Sequence, residues 1–131
     1  MFHWRDLPLT PIHPSGRFHR LFLYLLHILP AARIAVPLNS PEPLASITLA
    51  REGLPADALV GAGTVLTPVQ AQAVLKTGAN LILSPNMNAD VIDVAVAGGA
   101  VSLPGVMTPS ESLAALDAGA SGLKMFPASV L

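Results

Sequence analysis

The sequence predicts an α/β fold, a partial (β/α)8 barrel built from short parallel strands that each lead into a helix. Three observations carry this expectation. Short apolar segments alternate with helix-like segments from residue 33 onward. The pairs Gly78-Ala79, Gly99-Ala100 and Gly119-Ala120 recur about twenty residues apart, each between a helix and the next apolar strand. No glycine-rich dinucleotide fingerprint follows an early strand, which disfavours a doubly wound cofactor fold. Short apolar strands covered by helices pair in parallel, and small uniform units suit a barrel. Five strands are read from the sequence. A closed barrel takes eight strands and about 250 residues, so the segment reads as the middle of a barrel.

Composition bounds the function. The chain has 131 residues, enough for one modest domain, and is 52% hydrophobic and 11% charged, which argues against general disorder. A formal net charge of -1 leaves no broad basic field for a nucleic-acid backbone. There is no cysteine, so disulfides and thiolate chemistry are excluded. His3, His13, His19 and His27 all fall early and lack a metal-site spacing.

Residues 1–32 differ in composition from the rest. They contain His13-Pro14-Ser15-Gly16, Arg17, Arg20 and an apolar run from Leu21 to Leu29, interrupted by His27 and ended by Pro30. That run is too short for a membrane span. It fits a secretory signal only superficially, and adsorption at an interface is compatible with it. The preferred reading is an irregular extension ahead of a barrel segment, residues 33–131.

The elements follow in order. Ile34-Ala35-Val36-Pro37-Leu38 is a strand candidate. Ser40-Pro41-Glu42 reads as an N-cap, a proline at the first helical position and an acid in the first turn, with the helix running to about Glu52 and stopped by Gly53. Ala58 to Thr64 is the second strand, and its glycines permit close backbone approach. Thr67-Pro68-Val69-Gln70 has the capping-box pattern and opens a helix that Gly78 stops. Asn80 to Ser84 is a strand closed by Pro85. Asn88 caps a helix to Ala97 whose apolar face is Val91, Ile92, Val94 and Ala95. Val101-Ser102-Leu103 is a very short strand. Thr108-Pro109-Ser110-Glu111 repeats the capping box, with Leu113, Ala114, Leu116 and Ala118 expected toward the core.

The last strand is Gly122-Leu123-Lys124-Met125-Phe126, stopped by Pro127. The chain has only two lysines. Lys76 ends a helix, where a cation suits the dipole. Lys124 interrupts an apolar run, and in a buried strand an amine must be neutral, paired or chemically used. Ligands of parallel β/α folds gather beyond the C-terminal strand ends. Polar or unusual residues cluster at those ends: Asn39 and Ser40, Gly63 and Thr64, Ser84 to Asn86, Pro104 with Gly105 and Thr108, and Lys124 with Phe126. Capping and turn chemistry accounts for part of this set. The functional alternative is a cup of hydrogen-bonding groups around an amine that forms a Schiff base with a ketone or aldehyde. Such chemistry needs a proton shuttle. None of the five strand ends carries Asp or Glu, and Glu42 and Glu111 sit where capping is the simpler role.

Five motifs in this order resemble one family. They are Val36-Pro37-Leu38-Asn39-Ser40-Pro41, Val60-Gly61-Ala62-Gly63-Thr64-Val65-Leu66, Ser84-Pro85-Asn86, Leu103-Pro104-Gly105-Val106-Met107-Thr108-Pro109 and Gly122-Leu123-Lys124-Met125-Phe126-Pro127-Ala128. Over residues 33–131 the chain is similar to the 2-dehydro-3-deoxy-phosphogluconate and phosphogalactonate aldolases. The Pro-Leu-Asn-Ser-Pro and Pro-Asn pieces favour the phosphogalactonate branch. The resemblance implies strands two to six of a TIM-type (β/α)8 barrel, a class I aldolase, cytoplasmic carbohydrate metabolism with galactonate degradation as its setting, and a family-type homotrimer. Lys124 would be the Schiff-base lysine, Thr64 and Pro85 would lie beside the substrate's carboxylate and pyruvyl part, Thr108 would belong to the rim, and Phe126 would flank the lysine. The implied reaction cleaves a phosphorylated 2-keto-3-deoxy sugar acid to pyruvate and glyceraldehyde 3-phosphate, without metal or organic cofactor and with no nucleic-acid or membrane partner.

Three departures stand beside the resemblance. Where the family has a catalytic glutamate, two residues before the Pro-Leu-Asn-Ser-Pro run, this chain has Ala35. Residues 1–32 hold no convincing copy of the family's Arg-Gly motif. The sequence stops at Leu131, ahead of the two strands whose glycine-rich ends hold phosphate in the family. The alternative reading is therefore a catalytically impaired or inactive barrel fragment from a truncated or frame-shifted gene. A generic phosphate-binding α/β domain is the third, disfavoured by the motif around Lys124.

Overall fold

The structure is a computed structural model that describes residues 32–130. The irregular extension expected over residues 1–32 therefore lies, apart from its last residue, outside the described residues. The elements are β1 (Arg33–Pro37), α1 (Pro43–Gly53), β2 (Leu59–Gly63), α2 (Pro68–Leu75), β3 (Leu81–Leu83), α3 (Ala89–Ala97), β4 (Val101–Leu103), β5 (Gly105–Val106), α4 (Pro109–Asp117) and β6 (Lys124–Met125), followed by a 3-10 turn at Ala128–Val130. Among these residues no helix is long and apolar enough to cross a membrane.

Strands β1 to β4 pair in parallel in sequence order, and β5 pairs in parallel with β6. The order never reverses. With right-handed crossovers, that puts every helix on the same face, as in a barrel wall rather than a doubly wound sheet. The result is part of a (β/α) barrel. Six strands form where five were expected, because the fourth continues beyond Pro104 as a separate strand, β5. Proline brings no N–H to a ladder. Hydrogen bonding nonetheless continues across the division. The Ser121 N–H donates to the Ser102 carbonyl at 3.0 Å, and the Lys124 N–H donates to the Pro104 carbonyl at 3.0 Å.

Pairing register sorts the side chains. Ala35 lies opposite Gly61, Gly61 opposite Leu81, and Leu81 opposite Val101. Side chains alternate along each strand, so the rows on either side of this one point to the opposite face. Those alternate positions, Val60, Ala62, Ile82, Ser102 and Val106, are buried under the helices. Val106 packs with Ile92 of α3 and Ala115 of α4. The other face is more open: Ala35 and Pro37 are exposed, and Leu83 and Leu103 are half-buried. Gly61 permits this arrangement, since a Cβ there would overlap the Leu81 carbonyl. At the opposite, N-terminal end, Asn80 clamps β2 to β3. Its Oδ1 accepts from the Val60 N–H at 2.8 Å and its Nδ2 donates to the Ala58 carbonyl at 3.1 Å.

Helix starts follow the expected chemistry with one exception. Thr67 and Thr108 both close capping boxes, with Gln70 and Glu111, and Asn88 accepts from the Asp90 N–H. Ser40 does not cap α1. Its N–H and hydroxyl both donate to the Pro37 carbonyl, at 3.0 and 2.6 Å, which folds Ser40-Pro41 into a turn. The helix begins instead at Pro43, after Glu42 in a left-handed conformation (φ 47°) with no side-chain cap bond. Of two prolines suited to the first helical position, the later one fills it. Gly78, Gly99 and Gly119 follow α2, α3 and α4 with φ of 84°, 71° and 92°, the conformation that reverses a chain at a helix end.

The core face of α4 differs from expectation. Ala115 is buried and Ser112 and Ala118 are half-buried, whereas Leu113 is 64% and Leu116 50% exposed. Ala115 packs with Ile92 and Val106, with Ala118 beside them, and the leucines lie outside that contact.

Two predictions follow from this packing. Gly61→Ala forces a methyl against backbone that no rotamer change can relieve. We expect a loss of about 1–3 kcal/mol, read as a lower urea midpoint with an unchanged m-value; an unchanged midpoint would count against the close β2–β3 approach. The second concerns Glu111, whose Oε2 accepts from the Met107 N–H, the Thr108 N–H and the Thr108 hydroxyl at 2.9, 2.9 and 3.0 Å. Those bonds, from Met107 and then Thr108, hold its carboxyl below the ordinary value. A depressed folded value gives stability that is present above the unfolded value and lost as pH falls through the folded one. The difference in urea midpoint between the native chain and Glu111→Gln should be largest at neutral pH and shrink on acidification. A pH-independent difference would refute this role.

Candidate active site at the strand ends

The open face and the C-terminal strand ends meet at Lys124. The paired partner of Lys124 is Gly105. Along this stretch Ser102, Pro104 and Val106 are buried on the helix side, so Gly105 lies with Leu103 on the open face. Lys124 shares that face, as does Ala35 on β1, which the Gly61–Leu81–Val101 row links to β4. The backbone around the lysine is held on one side by the Lys124 N–H to Pro104 and by the Phe126 N–H to the Val106 carbonyl at 3.3 Å.

The lysine is not in a buried apolar strand. It is half-buried in a two-residue strand at the edge of the described sheet, and Leu123, Met125 and Phe126 around it are exposed. The Nζ atom sits over the Phe126 ring, 4.3 Å from its centroid. This is cation–π geometry, which orients the amine over the open face.

Pro85 reaches the same place through Gly105. The Pro85 carbonyl passes so close to Gly105 that a Cβ there would overlap it. Only glycine therefore lets the Ser84-Pro85-Asn86 turn lie beside the residue paired with Lys124. Ser84 is buried, and its N–H donates to the Leu103 carbonyl at 3.3 Å. The sequence marked Gly105 only as part of a strand-end cluster. Its Pro-Gly context after a strand is the signal, but the contact it permits is visible only in three dimensions.

Thr64 stands at the end of β2 in a left-handed conformation with φ 59°. For a β-branched residue that is a strained backbone, costing about 1–3 kcal/mol, and such strain concentrates at functional sites. It is held from both sides. The Gly63 carbonyl accepts from the Leu38 N–H at 3.0 Å, and the Val65 N–H donates to the Leu83 carbonyl at 3.1 Å. The Thr64 side chain is exposed at the rim.

Thr108 is also on the rim, beyond β5, but its hydroxyl is engaged. It accepts from the Glu111 N–H at 3.2 Å and donates to the Glu111 carboxylate. Glu111 is thereby committed to the helix start. Ala35 offers no proton-transferring group on the open face. Lys124, Phe126 and Pro85 are thus drawn together around Gly105, while Thr64 and Thr108 stand on the rim at separate strand ends. Among the described residues no cluster of three or more His, Cys, Asp or Glu could hold a metal ion.

Comparison with known proteins agrees with this architecture. The probable 2-dehydro-3-deoxy-6-phosphogalactonate aldolase of Rhizobium meliloti is 54% identical over 98 residues, covering 75% of this chain and 46% of the relative. The 2-dehydro-3-deoxy-6-phosphogalactonate aldolase of Escherichia coli is 44% identical over 96 residues, covering 73% of this chain and 47% of the relative. The chain spans about half the length of the curated relatives it matches. Among solved structures, the native KDPGal structure superposes with a TM-score of 0.79 at 36% identity, covering 99% of this chain and 64% of that one. The KDPG aldolase of Legionella pneumophila, solved with pyruvate captured at low pH as a covalent carbinolamine intermediate, gives a TM-score of 0.71 at 28% identity, covering 86% of this chain and 52% of that one. A model of the family described as KDPG and KHG aldolase matches residues 31–131, and the chain belongs to that family.

Proposed function

We propose that this chain carries out the Schiff-base chemistry of a class I aldolase of the phosphogalactonate type, with Lys124 as the nucleophile. The observation that carries the reading is the placement of Lys124 on the open face opposite Gly105, its amine over the Phe126 ring. The names of the Rhizobium and Escherichia relatives support the substrate, 2-dehydro-3-deoxy-6-phosphogalactonate. The carbinolamine captured in the Legionella protein supports the pyruvyl end as the reacting part.

In this reading the unprotonated Nζ attacks the C2 carbonyl and water is lost to give an iminium. The bond between C3 and C4 breaks, its electron pair moves toward the iminium, and the C4 hydroxyl gives up its proton as glyceraldehyde 3-phosphate leaves. The enamine is protonated at C3 and hydrolysed to pyruvate. Thr64 and Pro85 line the carboxylate and pyruvyl part, Thr108 forms the rim and Phe126 flanks the amine. No metal or organic cofactor takes part, and the soluble substrate and products suit a cytoplasmic enzyme. The family-type homotrimer is the assembly we expect, and the exposed Leu113 and Leu116 of α4 offer an apolar surface for it.

Ala35 favours a second reading, in which carbonyl capture survives with little turnover. A methyl group cannot move the protons that carbinolamine formation and C–C cleavage require. Positioned proton transfer contributes roughly 10²- to 10⁴-fold, so turnover should fall by that order.

Two measurements test these readings. Pyruvate and borohydride together should add a reduced pyruvyl group to the peptide containing Lys124 and not to Lys124→Met; folded protein that takes up no adduct there rejects the Schiff-base role. Ala35→Glu restores a carboxylate to the open face. It should raise pyruvate release from the phosphogalactonate substrate by about 10²-fold or more. An unchanged rate in a variant that still forms the pyruvyl adduct would place the deficit elsewhere than at residue 35.

A further inference from the structure

We infer that Ser121 is a positioning residue for Lys124: its backbone and side chain together clamp Ser102 and so fix the register in which the amine reaches the open face. The inference rests on the reading of Lys124 as the Schiff-base nucleophile and adds the residue that places it. Ser121 acts through the strand and not on the reacting atoms.

The clamp has two bonds. The Ser121 N–H donates to the Ser102 carbonyl at 3.0 Å, and the Ser121 Oγ accepts from the Ser102 N–H at 3.1 Å. Ser102 is buried, so its N–H would be costly to leave without an acceptor. Helix α4 ends at Asp117 and β6 begins only at Lys124, so the chain meets β4 as a bend. The hydroxyl supplies the acceptor that a backbone carbonyl supplies in a continuous strand. The same device joins β2 to β3. There the Asn80 N–H donates to the Val60 carbonyl at 2.9 Å, and the Asn80 Oδ1 accepts from the Val60 N–H at 2.8 Å. In both places a short polar side chain completes the start of a ladder, and the Ser121 clamp is the one that leads into the strand carrying the amine.

Register is what the clamp controls. Ser121 precedes Lys124 by the same number of residues as Ser102 precedes Gly105, so the clamp holds the offset that pairs Lys124 with Gly105. Pro104 brings no N–H to this ladder, and β6 is two residues long. The strand therefore has few rungs of its own to resist a slip. A slip of one residue would carry the amine from the open face to the helix side. Ser121 itself is exposed, so truncating its side chain opens no cavity in the core.

The test treats the intact chain with pyruvate and borohydride and reads labelling of Lys124 against Lys76, an exposed lysine at the end of α2 that reports ordinary amine reactivity. We expect this ratio to fall about tenfold or more in Ser121→Ala, since misplacing a reacting group by about 1 Å costs roughly 10²-fold. Ser121→Thr keeps the hydroxyl and should keep the ratio. Asn80→Ala removes the equivalent clamp away from the amine, so it should lower the urea midpoint and leave the ratio unchanged. Amide hydrogen exchange in Ser121→Ala should quicken in the peptide containing Lys124 and not in peptides of β1 to β3. An unchanged ratio in folded Ser121→Ala, an equal fall in Ser121→Thr or Asn80→Ala, or global unfolding of Ser121→Ala would each overturn the positioning role. Labelling of Lys124 no greater than that of Lys76 in the unaltered chain would instead overturn the Schiff-base reading, and exchange of the Lys124 peptide would then decide the clamp by itself.

Discussion

One row of backbone partners, Ala35 to Gly61 to Leu81 to Val101, governs which side chains of this protein meet. In a parallel sheet a slip of one residue turns every side chain to the other face. Here the register sends Val60, Ala62, Ile82 and Ser102 beneath the helices and leaves the intervening positions on the open face. Gly61 makes the row possible, because the β2 and β3 backbones approach there more closely than any Cβ allows. Gly105 does the same on the next strands, where the Pro85 turn comes in beside the partner of Lys124. The geometry around the amine is therefore a consequence of two places where side chains are missing.

Most of the polar groups at the strand ends serve the backbone. Ser40 closes a turn, Thr67 and Thr108 open helices, and Asn88 caps a helix while its Nδ2 reaches the Leu66 carbonyl at 3.3 Å. Such groups satisfy helix-end N–H donors that would otherwise compete for water. Thr64 is different. Its left-handed conformation opposes its own β-branched preference and persists because the residues on either side are fixed by neighbouring strands. Charge is placed in the same way: the Glu111 Oε2 is engaged by its capping bonds, and Ala35 puts only a methyl group on the open face.

Much of the fold was legible in the residues. The glycine-alanine pairs marked the helix ends, and the three glycines do adopt the left-handed conformation there. Both capping boxes and the Asn88 cap form as their patterns implied. Errors arose where two local signals competed or where a partner was needed. Ser40-Pro41 and Glu42-Pro43 both suit a helix start, and the Ser40 bonds to Pro37 decide between them. In α4 leucine and alanine are mixed around the helix, so hydrophobicity alone chose Leu113 and Leu116, while packing against Ile92 and Val106 selects Ala115. By pattern the strand Val101-Ser102-Leu103 ends at Pro104, yet the Pro104 carbonyl carries the ladder on to Lys124.

By itself the sequence determined the β/α units, their caps and stops, the family, and the presence of one amine in an apolar run without a glutamate at residue 35. These depend on local propensity and residue identity. Only the tertiary structure decided that Lys124 is half-buried at a sheet edge, that it faces the same way as Ala35, and that its amine rests on Phe126. Which face a side chain takes, and how much water reaches it, are set by pairing with strands about twenty residues away, and no local pattern encodes that register.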